Sequence, residues 1–357
     1  MSIVIAAAGT GGHVIPAIAV AEAMVVAGLD RSQVVFFGGD RMEASLVPGA
    51  GFAFTSFSLT RLRRSLSPRN LAIPLALRRS AAAMAAEMDR VEARAVLGMG
   101  GYVSVPAVRA AARVGVPFFL QEQNARAGLA TRLAARRAQL VFLGLPGPAE
   151  RLPRSSVVGN PLPSGFNGFD RSVLRSTARS RYGIAGGGRV VGIIGGSLGA
   201  RVLNHAAAAI VEAVAPATVL HITGETAEAQ VALPASVDDR RWIRLPYEHD
   251  PTAFYAACDL VVCRAGAMTV SELSATGTPA VLVPLRRVGQ GDNAAALVGV
   301  GGAVVVEEED LSGITDIVTG VLHDPERLSS MAASARRLAR PGAASEIASI
   351  LLEAARG

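Results

Sequence analysis

Short apolar runs alternate along the chain with glycine-bearing turns and helix-length amphipathic segments. The first run, Ser2–Ala8, is continuously apolar after its opening serine, as a strand buried on both faces should be. It ends at Gly9-Thr-Gly-Gly12, after which Val14, Ile18, Ala21 and Val25 recur on one helical face and Pro16 falls in the first turn, where it is tolerated. Strand-length runs follow at Gln33–Phe37, Ala95–Leu97, Pro117–Leu120 and Gln139–Leu143, each separated by room for a helix. A second cycle opens at Arg189–Ile194, passes through Gly195-Gly-Ser-Leu-Gly199 into a helix starting near Arg201, and continues with strands at Thr218–Ile222, Leu260–Cys263 and Ala280–Val283.

This pattern predicts an α/β protein of two Rossmann-like, doubly wound domains facing one another across a cleft, with a glycine turn on each lip. The domains are expected at residues 1–160 and 161–340, with a hinge near Gly159–Gly168, where Pro161, Pro163, Gly165 and Gly168 cluster, and a final helix in 341–357.

Composition narrows the chemistry. At 357 residues, half of them hydrophobic, the chain has material for two cores and is not a disordered protein. All 35 basic residues are arginine. The absence of lysine excludes a Walker A site, a kinase strand lysine and Schiff-base catalysis. Anionic ligands must be held by arginine, backbone amides and helix N-termini. Cys258 and Cys263 fit neither a metal motif nor a disulfide framework, which predicts a reducing, intracellular setting. No basic leader and no uninterrupted apolar run of about 18 residues is present, so a soluble or peripheral protein is expected. The stretch Leu59–Arg79 interleaves Arg61, Arg63, Arg64, Arg69, Arg78 and Arg79 with leucines and Ile73. It suits a surface of anionic lipid headgroups better than nucleic acid, for which it lacks aromatics and any binding motif; a solvated helix face is the plain alternative.

Glycine turns between strand and helix let backbone amides reach a phosphate where the helix dipole favours an anion, although such turns also occur for steric reasons alone. His13 closes the first turn at a helix N-terminus, which disfavours protonation and suits a general base; it can equally be a histidine that only braces the turn. Ser197 sits in a G-x-S-x-G pattern that fits a hydrolase nucleophile, with Asp259 and His323 following in order, or a simple helix cap. Thr269-Val-Ser-Glu272 reads on spacing as a capping box before a helix ended by Gly277 and Pro279. Gln123 and Asn124, and Gln290 and Asn293, place amides at the carboxyl ends of strands, where hydroxyl-rich sugars are held, or else in ordinary loops.

Taken together and in order, Gly9-Thr-Gly-Gly-His13 with Pro16, Gly98-Met-Gly-Gly-Tyr102, Glu122-Gln-Asn124, Gly159-Asn-Pro161, Gly195-Gly-Ser-Leu-Gly-Ala-Arg201, Cys263-Arg-Ala-Gly-Ala-Met-Thr-Val-Ser-Glu272 and Gln290-Gly-Asp-Asn293 resemble the MurG family of bacterial peptidoglycan glycosyltransferases. The resemblance implies a GT-B fold and inverting transfer of N-acetylglucosamine from UDP-N-acetylglucosamine to lipid I, giving lipid II, at the cytoplasmic face of the cell membrane. It implies no metal or cofactor. Thr10, Gly11 and Gly12 would line the cleft and Ser197 would contact the donor diphosphate. Glu272 would bind the ribose in place of capping, with Ala267, Met268 and Thr269 beside the donor. Asn124, Gln290 and Asn293 would meet the sugars, and the backbone at Glu248 would meet uracil. The final helix would return to the first domain. Pro163 stands where the family commonly has arginine, with Arg201 and Arg264 as possible replacements, and Leu198, Gln121, Ala8 and Gly289 are further departures. Weaker donor binding, or a different donor or acceptor in a related GT-B enzyme, is the expectation these raise.

Overall fold

The computed structural model describes residues 1–59, 73–196, 199–225 and 241–357. Two compact units form: Met1–Ser164 joined by Arg340–Gly357, and Gly165–Ala339.

In the first unit β1 (Ser2–Ala6), β2 (Val34–Gly38), β3 (Ala53–Ser56), β4 (Ala93–Gly98), β5 (Phe118–Glu122), β6 (Leu140–Leu143) and β7 (Ser155–Val157) make one parallel sheet in the order β3-β2-β1-β4-β5-β6-β7. Alternation along β1 feeds two cores. Val4, Ala6 and Ala8 point to one face, against Met84 and Met88 of α3 (Ile73–Arg90) and Ala107 and Ala111 of α4 (Ser104–Val114). Ile3, Ile5 and Ala7 point to the other, against Val14, Ala17, Val20 and Met24 of α1 (Gly11–Val26). The latter core is completed by the chain's last described helix, Ala343–Arg356, through Ile347, Ala348, Leu351 and Ala355. Between β2 and β3 lies the short helix α2 (Glu43–Gly49), and α5 (Leu129–Ala134) follows β5.

The second unit repeats the plan with β8 (Val190–Ile194), β9 (Thr218–Ile222), β10 (Trp242–Leu245), β11 (Leu260–Cys263), β12 (Ala280–Leu282) and β13 (Ala303–Val305), ordered β10-β9-β8-β11-β12-β13 and parallel throughout. The helices are α6 (Arg171–Arg181), α7 (Arg201–Ala213), α8 (Pro251–Ala257), α9 (Ala267–Thr276), α10 (Gln290–Gly299), α11 (Ile314–Leu322) and α12 (Pro325–Arg337), so the closing helix of the first unit is α13. Val191 and Ile193 pack with Leu203, Ile210 and Val211 of α7 and Val318 and Val321 of α11. Among the described residues no helix is long and apolar enough to cross a membrane.

Both units are parallel α/β, as expected. Four strands escape the apolar pattern, β3, β7, β10 and β13, and they are the four outer strands of the two sheets. An outer strand pairs on one side only and is partly wet, so Ser155-Ser-Val157 or Trp242-Ile-Arg-Leu245 needs no continuous apolar run.

Candidate active site

In the first unit the candidate residues gather where β1 and β5 end. Gly9, at φ +114°, turns the chain out of the sheet, and Thr10, in extended conformation, precedes the first helical residue, Gly11. The Thr10 hydroxyl does not cap the helix backbone; it lies 3.4 Å from His13 Nδ1. Gly12 leaves the first turn open: among the described residues only the Thr10 hydroxyl comes close to where a β-carbon would stand. His13 therefore occupies the first turn of α1, at the positive end of the helix dipole, with its own N–H donating to the Thr10 carbonyl (3.0 Å). Its Nε2 edge faces Gly101, whose β-carbon would stand 3.6 Å away.

Two carboxylates act on this imidazole. Burial lowers its pKa below the ordinary histidine value, and the charges of Glu122 and Glu43 oppose the fall. Glu122 ends β5 and is itself held: its Oε1 accepts from the Asn124 N–H and side-chain amide, both at 3.1 Å, and its Oε2 from the Gly128 N–H at 3.3 Å. Asn124 thus joins the cluster through Glu122. Glu43 is fully buried and accepts from two backbone N–H groups, Gly9 at 3.1 Å and Gly39 at 3.0 Å.

Behind β5 lies a buried amide frame. Gln121 donates to Asn160 Oδ1 (2.9 Å), Asn160 donates to the Gln123 carbonyl (3.1 Å), and Gln123 donates to the Met99 carbonyl (3.0 Å). Gly144 makes room for Asn160, since a β-carbon there would meet its oxygen at 2.0 Å. The Gly-Asn-Pro motif thus braces the strand end that carries Glu122, and Gln121, a departure from the family pattern, takes part in the bracing.

In the second unit the turn after β8 uses Gly196 (φ +87°) and Gly199 (φ +72°) and leads into α7 at Arg201. Ser197 and Leu198 lie outside the described residues. Gly199 lies so close to β9 that a β-carbon would stand 2.4 Å from the Thr223 carbonyl. That carbonyl accepts from the Asn204 side chain of α7 (2.9 Å), whose Oδ1 lies 3.0 Å from His221 Nε2. His221 is fully buried and stacked on Trp242, and burial first, with the Arg244 charge second, pulls its pKa down to about 4.

The capping box expected at Thr269 and Glu272 is absent. Helix α9 starts three residues earlier than that spacing requires, with Gly266 as cap and Ala267, Met268 and Thr269 in its first turn, and Glu272 sits a turn further on. Its carboxylate accepts from the Tyr255 hydroxyl at 2.8 Å, and burial raises its pKa. Asn293, buried in α10, donates to the Ala265 carbonyl (3.1 Å) and steadies the loop before α9; Gln290 accepts from the Leu285 N–H (2.9 Å). The Glu248 side chain is occupied by Tyr182 (2.7 Å), Arg181 (2.9 Å) and the Asp250 N–H (2.7 Å). Arg264 is held by Glu308 (2.5 Å) and the Val283 carbonyl (3.0 Å), whereas Arg201 is exposed at the start of α7. The hydrolase reading loses its acid: Asp259 accepts from Arg175 (2.7 Å), Arg179 (3.0 Å) and the Val190 N–H (2.8 Å).

Comparison with known proteins places this geometry. The glycosyltransferase family 28 N-terminal domain matches residues 3–143 and its C-terminal domain residues 190–347. A UDP-N-acetylglucosamine--N-acetylmuramyl-(pentapeptide) pyrophosphoryl-undecaprenol N-acetylglucosamine transferase of Mycobacterium sp. (strain KMS) is 39% identical over 365 residues, covering 100% of this chain and 96% of the relative. The chain belongs to glycosyltransferase family 28, among its MurG members. A similarly named family member from Mycolicibacterium vanbaalenii is 38% identical over 99% of the chain and 90% of its own length. MurG from Acinetobacter baumannii superposes with TM-score 0.77 at 26% identity, covering 99% of this chain and 100% of that one. The calicheamicin glycosyltransferase CalG4, at 15% identity and TM-score 0.68 over 99% and 98% of the two chains, shares the fold alone. The fold is therefore GT-B, as expected of the family.

The sequence does not single out Glu43, Asn204 or His221 as parts of either turn. A buried carboxylate or amide that bonds to backbone, as Glu43 and Asn204 do, leaves no spacing pattern because its partners are main-chain atoms, and His221 meets the Asn204 side chain only once β9 and α7 are packed.

Proposed function

We propose that this chain transfers N-acetylglucosamine from UDP-N-acetylglucosamine to undecaprenyl-pyrophosphoryl-N-acetylmuramyl pentapeptide, lipid I, forming lipid II with inversion at the anomeric carbon. The observation that carries the reading is the 39% identity, over the whole chain, to a relative named for this transfer.

His13 is the general base. His13 Nδ1 lies 3.4 Å from the Thr10 hydroxyl; in the tautomer that donates from Nδ1, the neutral ring keeps the Nε2 lone pair for the acceptor hydroxyl's proton. The hydroxyl oxygen then bonds to the anomeric carbon while the bond to the donor phosphate breaks, its electron pair leaving on UDP. Backbone amides of the Gly195–Gly199 turn, with Ser197 and the N-terminus of α7, stabilise the diphosphate charge as it grows, and Arg201 supplies the cation missing at Pro163. Glu272 receives the ribose hydroxyls; Ala267, Met268 and Thr269 line the donor, and the Glu248 backbone meets uracil. Thr10, Gly11, Gly12 and Asn124 receive the acceptor, and Gln290 and Asn293 the transferred sugar.

The protein works as a peripheral protein on the cytoplasmic leaflet. Much of the stretch Leu59–Arg79 lies outside the described residues, but Leu75, Arg78 and Arg79 are exposed near the start of α3 and, at spacings of three and four, share a helix face suited to anionic lipid.

Incubation with labelled UDP-N-acetylglucosamine and a lipid I analogue should yield a lipid-linked disaccharide. UDP binding without that product would overturn the acceptor assignment.

A further inference from the structure

Glu43 is the first residue of the seven-residue helix α2, yet it is fully buried. Among the described residues no ion pair involves it. Burying a carboxylate without a cation is costly unless its oxygens are satisfied by hydrogen bonds. Here one oxygen takes the N–H of Gly9, at the end of β1, and the other that of Gly39, at the end of β2. A neutral amide could accept only one of these, because its NH2 group would face the second N–H. The space is tight: a β-carbon at Gly38 would stand 2.8 Å from Glu43 Cγ and 2.8 Å from the Ala7 carbonyl. Gly9 directly precedes Thr10, whose hydroxyl meets His13. The chain from Glu43 to the imidazole is therefore one hydrogen bond, two residues of turn and a side-chain contact.

We propose that Glu43 is a positioning residue of the transfer reaction, clamping the glycine turn so that His13 is held where it meets the acceptor hydroxyl. The proposal rests on His13 being the base. It explains why a carboxylate, rather than an apolar side chain, fills the space behind the turn. The charged groups acting on His13 are Glu43 from α2 and Glu122 from β5, with the Tyr102 ring beside Gly9. Loss of one negative charge makes the imidazolium less favourable, so the acid limb of the rate profile moves to lower pH.

The test is steady-state kinetics of Glu43→Gln and Glu43→Asp with donor and lipid I analogue, with folding checked by thermal unfolding and by UDP binding. Glu43→Gln should lose about 10- to 100-fold in kcat with the donor KM within about twofold, and its acid limb should move to lower pH. Combined with His13→Ala, Glu43→Gln should cause little further loss. Wild-type kcat in Glu43→Gln, an unmoved acid limb, or a full additional loss on top of His13→Ala would overturn the proposal. Normal turnover by His13→Ala alone would instead remove the base assignment beneath it. Should Glu43→Gln not fold, Glu43→Asp decides: it keeps the charge at shorter reach, so kcat should fall with the acid limb in place, and wild-type kcat refutes the clamp.

Discussion

His221 turns the stability of the second unit into a function of pH. It lies on β9 with Nε2 bonded to Asn204, whereas its buried Nδ1 has no partner among the described residues. A second proton would have to sit there, against the stacked Trp242 ring and under the positive field of Arg244. The folded pKa is accordingly about 4 against an ordinary 6.5. As pH falls below 6.5, the unfolded chain takes up the proton while the folded one resists it; stability is full above that point and the loss is complete near pH 4. Each tenfold difference in proton affinity is about 1.4 kcal/mol, so the whole effect is about 3 kcal/mol, of which about 2 kcal/mol is gone at pH 5. Trp242 is the chain's only tryptophan and is itself buried in this unit, so its fluorescence in urea reports this unit alone. Other groups titrate over the same range, and His221→Gln, which keeps a donor for Asn204, removes their contribution by difference. Between pH 7.5 and 5 the wild type should lose about 2 kcal/mol more than the variant, close to 1 M urea in midpoint. Equal losses in the two proteins would refute the reasoning, and so would an NMR titration placing His221 near the ordinary histidine value.

Three further outcomes follow from the same contacts. His13→Ala should cut turnover by about 10²- to 10⁴-fold, the usual range for a general base, while isothermal titration finds UDP binding unchanged; unaltered turnover would end the base assignment. Gly199→Ala forces a left-handed conformation on alanine and drives its β-carbon into the Thr223 carbonyl. The turn relieves the clash by moving, and restoring it when the donor binds costs at least the backbone strain of about 1–2 kcal/mol, so donor binding should weaken by about 5- to 30-fold; undiminished affinity would show that the turn does not carry the diphosphate. Leu351→Ala opens a hole beneath β1, since Leu351 is wholly buried in that core. It should cost about 2–5 kcal/mol in the unfolding of the first unit, measured by circular dichroism, with the Trp242 transition unmoved.

The interior of each sheet was legible because strands paired on both sides must be apolar on both faces; Ser2–Ala8 and Leu260–Cys263 announce themselves in this way. The outer strands were not, since β7 with two serines or β10 with an arginine faces water on one side. The glycine turns could be read from composition and position, and the family match gave them substrates. The supports behind them could not. Glu43 and Asn204 act on main-chain atoms brought close only by folding, so nothing in the local sequence distinguishes them from surface residues, whereas Asn160 stands in a motif whose bracing task only the fold reveals. Thr269 and Glu272 show the opposite error, where correct capping spacing falls inside a helix that starts earlier at Ala267.

The return of α13 to the first sheet sets an order of events during synthesis. Residues 165–339 form a continuous unit and can complete their core as soon as they leave the ribosome. The unit that is translated first must wait, because Ile347 and Leu351 fill its interior. The earlier-made half, which bears His13, is therefore the last to close. A chain released before about residue 355 should carry a finished second unit beside a first one with an open apolar face, a form for chaperones and proteases to recognise.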